Sequence, residues 1–102
     1  MEKHTYKEIK GAAEALGLLM YETRAEIESK YRALVKEIHP DSAGIHTAEQ
    51  NQKMAQVNGA YKIIKNYLDN YVFLFDEQAV YRYNFDSAMM ERMRKDSAWG
   101  PG

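Results

Sequence analysis

An all-α fold is what this 102-residue sequence predicts: an antiparallel helical hairpin, a shorter first helix packed across it, and a C-terminal extension. Three observations predict it. Apolar residues recur three and four apart in three separate segments, the period of a single helix face. Two of those segments open with Thr followed three residues later by Glu or Gln, the signature of a capped helix start. Gly17 and Pro40 then stand where the first and second helices should stop. Residues 1–68 carry this pattern as one domain, and residues 69–102 form the extension.

The first helix is expected over residues 4–16, with Tyr6, Ile9, Ala13 and Leu16 as its apolar stripe. Leu18, Leu19, Met20 and Tyr21 should then cross the core as a connector. Thr23-x-x-Glu26 opens the second helix. Its core face holds Ile27, Tyr31, Leu34, Val35 and Ile38, within an arc of roughly 100°. Ser29, Arg32, Ala33 and Lys36 lie opposite, and Lys30 sits on the flank. Glu28 can pair with Arg32 at i,i+4, a contact worth about 0.3–0.5 kcal/mol.

The second helix runs into His39-Pro40-Asp41. Pro40 cannot continue a helix and biases His39 away from the α region. Asp41-Ser42 and Ala43-Gly44 add turn chemistry, so His39 and Asp41 sit on an exposed loop beside a helix end. Thr47-x-x-Gln50 then starts the third helix, with Met54, Val57, Tyr61, Ile64 and Leu68 as its stripe. The short connection makes the second and third helices antiparallel. Gly59 falls near the back of the third helix, at about 1 kcal/mol relative to Ala.

The extension reads differently. Tyr71, Phe73, Phe75, Tyr81, Tyr83 and Phe85 crowd a segment with little net charge. Tyr71–Phe75 alternates aromatic and aliphatic, consistent with a short strand or an extended wrap. Asp76 caps a short helix through about Tyr83, and Asp86 or Ser87 begins a last helix holding Met89, Met90 and Met93. The favoured reading of the aromatics is cover for a small core. The Met cluster with Trp99 suits a second partner surface, because Met adapts to many shapes.

Composition narrows the function. Fourteen basic residues against 15 acidic ones give no electrostatic case for nucleic acid. Without Cys there is no disulfide and no thiolate metal site, and a reducing compartment is compatible. The charged start, MEKHTYKEIK, is not a signal peptide, and no run of about 20 apolar residues spans a bilayer. A cytoplasmic protein without a membrane partner is expected. His39 and Asp41 could join His46 as metal ligands, but that loop spacing is unspecific. They could act as acid and base, but no nucleophile accompanies them. The plain structural alternative is Asp41 capping a turn beside a solvated His39. No metal, cofactor or catalytic residue is expected.

Taken together, Tyr31, Leu34, Ile38, His39-Pro40-Asp41 and the downstream Val57-Asn58-Gly59-Ala60-Tyr61 resemble the J-domain family, co-chaperones of DnaK-type heat-shock ATPases. The resemblance covers roughly residues 4–68 and makes residues 1–68 the J-domain. It implies that His39, Pro40 and Asp41, with Arg32, Lys36 and Lys30 of the basic helix face, contact the ATPase and stimulate ATP hydrolysis. Glu28, Ala33 and Ser42 stand where the family is often basic, which thins that face. The family's zinc region, Gly/Phe-rich linker and basic fourth helix are not recognisable, leaving the extension as the candidate surface for a client or dedicated partner. The alternative function is a J-like adaptor with weak or no ATPase stimulation.

Overall fold

The computed structural model describes residues 3–38 and 47–94. Those residues form four α-helices and no strand: α1 (Tyr6–Ala15), α2 (Arg24–Ile38), α3 (Ala48–Asp69) and α4 (Glu77–Met93). Each start is fixed by the residue in front of it. Thr5 accepts from the Glu8 amide at 3.2 Å while the Glu8 carboxylate accepts from the Thr5 amide at 2.9 Å. Thr23 and Glu26 repeat that reciprocal pair at 3.2 and 2.8 Å. At Thr47 the hydroxyl accepts from the Gln50 amide at 3.0 Å and itself donates to Gln50 Oε1 at 3.4 Å. Asp76 accepts from the Ala79 amide at 2.9 Å. These caps satisfy backbone N–H groups that have no acceptor within their own helix.

Among the described residues, the turn after α1 is the one place where glycine is required. Gly17 has φ +69°, where a Cβ would be strained. The Leu18 amide donates to Ala13 O at 2.9 Å and the Gly17 amide to Glu14 O at 3.0 Å. This Schellman closure turns the chain so that Leu18 drops into the core.

The core consists of Ala12, Ala13, Leu16, Leu18, Ile27, Val57, Ala60 and Ile64, with Leu16 the most enclosed at 1% exposure. Helix α3 is its centre, since α1 and α2 both pack chiefly on α3. Small Ala12, Ala13 and Ala60 face this interface and let the helices approach closely. Helices α2 and α3 run antiparallel, because Arg24 at the start of α2 reaches Asp69 at the end of α3, 3.0 Å apart. Midway along, Tyr31 stacks on Tyr61.

Three expectations from the sequence need correcting. Tyr6 does not join the stripe of α1: it is 69% exposed, and Ala12 takes its place in the core. The extension contains one continuous helix, not a short helix to Tyr83 followed by a second from Asp86 or Ser87. No Gly or Pro interrupts 77–93, so the polar Asn84, Asp86 and Ser87 form part of the helix surface. Nor do the aromatics cover the core. Residues 71–75 form no regular secondary structure, and Phe73, Phe75, Tyr81, Tyr83 and Phe85 all stay well exposed. None of residues 71–94 is buried.

Candidate functional site

Two faces of α2 decide what it can present. Tyr31, Leu34, Val35 and Ile38 lie half-buried against the core, so a helix of this period must turn Arg32 and Lys36 outward. Both are exposed and sit one turn apart on the same side. Neither makes an ion pair among the described residues. The expected Glu28–Arg32 pair is not formed, which leaves the Arg32 guanidinium available to another molecule. Ser29 and Ala33 complete a flat, exposed strip beside them.

Helix α2 ends at Ile38, immediately before the tripeptide read as the main contact. His39, Pro40 and Asp41 lie outside the described residues, as do Ser42 and His46. The described residues on either side are Ile38, packed on the core, and Thr47, which caps α3. Asn58 ties α3 to α2 by accepting from the Tyr31 hydroxyl at 2.8 Å.

Lys30 behaves differently from Arg32 and Lys36. Its ammonium pairs with Glu22 and donates to Gly17 O at 3.3 Å. The Glu22 carboxylate is 3% exposed, so Lys30 compensates a charge that would otherwise be costly to enclose. It ties α2 to the connector after α1.

The same carboxylate belongs to a larger ionic cluster that sequence reasoning missed. Arg94, just beyond α4, pairs with Glu26, lies 3.8 Å from Glu22 and also meets Glu91 at 3.3 Å. The Thr23 amide, then Arg94 and the Thr23 hydroxyl, pull the Glu26 carboxyl down to about 2 from 4.5. Glu26 is thus both a helix cap and the anchor of the extension. Its capping role was visible as Thr23-x-x-Glu26; its link to a residue 68 positions away had no local signature. A second cluster lies at the same end of the bundle, where Lys65 and then Arg24 lower the pKa of Asp69.

The methionines read as a second surface are divided by the helix. Met90 borders a cleft against Met20, Tyr21 and Glu22, alongside Tyr83 and Ser87. Met89 points elsewhere and is 50% exposed, as is Met93. Trp99 lies outside the described residues. No group of three or more His, Cys, Asp or Glu suited to a metal ion occurs among the described residues. No helix among them is long and apolar enough to cross a membrane.

Among the described residues, Arg32 and Lys36 thus form an exposed, positively charged strip on α2 that makes no ion pair. No curated protein and no solved structure matches the chain. The family model of the DnaJ domain matches residues 13–69, more than half of its length. That span runs from the last turn of α1 to the last residue of α3 and includes the whole of α2 and residues 39–47 after it. The chain belongs to the DnaJ-domain family.

Proposed function

We propose that this protein is a co-chaperone that docks on a DnaK-type heat-shock ATPase through His39, Pro40 and Asp41 and through Arg32 and Lys36, and stimulates its ATP hydrolysis. The observation that carries the reading is the pair Arg32 and Lys36: exposed, unpaired, and on the helix that leads straight into the tripeptide. Lys30 contributes less, because Glu22 holds it. The partner performs the chemistry. A docked J-domain changes the rate only by favouring one state of the ATPase over another, so differential affinity for its states is the relevant quantity. The absence of cysteine suits a reducing, cytoplasmic setting. The extension is then the surface left for a client or a dedicated partner.

The test is steady-state ATP hydrolysis by a DnaK-type chaperone with and without this protein. A several-fold, saturable rise supports the reading. The second reading, an adaptor with weak stimulation, draws on the thinness of the basic face: Glu28 and Ala33 add no positive charge. Saturable binding without a rise in hydrolysis would favour the adaptor.

A further inference from the structure

One side of α4 has no partner among the described residues. Tyr83, Ser87, Met90 and Arg94 border the connector. Tyr81, Phe85 and Met89, spaced four apart, run along the opposite side of the helix. They are 74, 59 and 50% exposed. Tyr81 and Phe85, together with Glu77, Gln78, Arg82 and Asp86, line an open groove.

The charges beside this stripe are arranged in a specific way. Arg82 and Asp86 lie along one edge, Glu77 and Arg92 along the other. None of the four makes an ion pair among the described residues, although Arg82 and Asp86 stand at i,i+4 on one helix.

We propose that this face docks on the same face of a second copy, the two α4 helices running antiparallel about a two-fold axis at residues 84–85. In that register Glu77 stands opposite Arg92 of the second copy, and Arg82 opposite its Asp86. Phe85 meets Phe85, and Tyr81 meets Met89. All four pairings share one axis to within about one helical rise, ~1.5 Å. Both edges become complementary at once, which is what an isologous contact demands of a single surface. A parallel pairing would instead face the Arg82–Asp86 edge with the Glu77–Arg92 edge, leaving Arg82 and Glu77, and Asp86 and Arg92, more than a helical turn apart along the axis.

The area is sufficient. Val72, Phe73, Leu74 and Phe75, 65–88% exposed, lie just ahead of α4 and extend the stripe. With roughly 150–250 Å² for each aromatic side chain, the segment and the stripe together offer on the order of 800 Å² per chain. A stable interface of standard size takes about 800 Å² from each partner. An unfolded client segment would use the same apolar area but gives no account of the reversed charge pattern on the two edges.

The experiment is sedimentation velocity of the full chain over a micromolar concentration series, with circular dichroism to verify each variant's fold. The wild type should dimerise. Arg82→Glu and Asp86→Arg, each alone, place like charges opposite one another twice per dimer and should weaken self-association about tenfold, equal to ~1.4 kcal/mol. An equimolar mixture of the two variants makes both pairs complementary and should form a heterodimer nearly as tight as the wild-type dimer. Phe85→Asp should give a folded monomer. A wild type that stays monomeric, a mixture no tighter than its components, or a dimer indifferent to Phe85→Asp would each overturn the proposal. So would a monomer that binds an unfolded apolar peptide through Phe85, which would assign the face to clients.

Discussion

Tyr31 and Tyr61 lie face to face, with ring centroids 3.8 Å apart and planes within 7° of parallel. The Tyr31 hydroxyl reaches on to Asn58. One contact therefore fixes the distance and the rotation of α2 on α3, two turns before α2 ends. Rotation matters because it also sets the direction of Arg32, the next residue. Tyr61→Ala should cost about 2–4 kcal/mol, below the range for fully buried aromatics because both rings are half-exposed. A double-mutant cycle on the two rings should give a coupling of about 0.5–1.5 kcal/mol. Tyr31→Phe, which keeps the stack and removes the hydrogen bond, should cost about 0.5–1.5 kcal/mol. Urea unfolding measures all of these; a coupling of zero would mean the rings merely adjoin.

Asp41→Asn should abolish stimulation of the ATPase while leaving the melting temperature within a few degrees of wild type. The residue follows Pro40 in sequence, after the end of α2 and ahead of the Thr47 cap, and the eight buried residues among those described lie in other segments. ATP turnover and thermal melting of the same preparation separate the two possibilities. A large fall in melting temperature would identify Asp41 as a structural cap.

Reversing both exposed cations, Arg32→Glu with Lys36→Glu, should raise the concentration needed for half-maximal stimulation at least tenfold and remove most of its salt dependence. Exposed charges act mainly on encounter and are screened beyond about 8–10 Å at physiological salt. Because neither side chain is ion-paired among the described residues, the double reversal should leave stability nearly unchanged. Stimulation that persists unaltered would show this face to be simply solvated.

Most of the bundle was legible in the sequence because its determinants are local. Thr23, Thr47 and Asp76 mark helix starts through side chains that bond amides three residues on. The Val57–Ile64 part of the α3 stripe faces the core as its spacing requires. Gly17 marked a stop because only a residue tolerant of positive φ closes that turn. What sequence could not show is whether an apolar face has a partner. Tyr81 and Phe85 have the same hydrophobicity whether they cover a core or face solvent. The Glu26–Arg94 contact was hidden for a similar reason, since charges far apart in sequence leave no periodic trace. His39, Pro40 and Asp41 were read from composition and from the resemblance, and lie outside the described residues.

The Glu26–Arg94 contact should hold the end of α4 across neutral pH and release it in acid. The carboxyl of Glu26 is depressed in the folded protein, from 4.5 to about 2. Its stabilising contribution is therefore complete above about pH 4.5 and is lost as the pH falls through about 2. Glu26→Gln should release α4 at neutral pH while keeping the cap, since Gln also serves at that position. Hydrogen exchange should then quicken at 87–93 and stay unchanged in α1–α3. Equal quickening throughout the bundle would indicate that Glu26 stabilises α2 itself.

Ending the chain after Asn70 should yield a stable bundle. The aromatic extension looks, from composition, like a cover whose loss would cost several kcal/mol, but the structure argues otherwise. Among the described residues every buried one lies at or before Ile64, and Leu68 is packed against them from within α3. Asp69 still holds Arg24, and Asn70 still closes α3 by donating its amide to Asn66 O at 3.1 Å. Glu22 would lose Arg94 but keep Lys30, so its enclosed carboxylate would not be left without a counter-charge. The truncated chain should therefore fall within about 1 kcal/mol of full length, the range for changes that create no cavity and strand no buried charge. Stimulation of the ATPase should persist in it, because Arg32, Lys36 and the loop are all retained. Thermal melting and ATP turnover of the 1–70 fragment test both statements. A fragment that aggregates or melts far below the full chain would show that Tyr71–Phe75 and α4 shield the bundle after all.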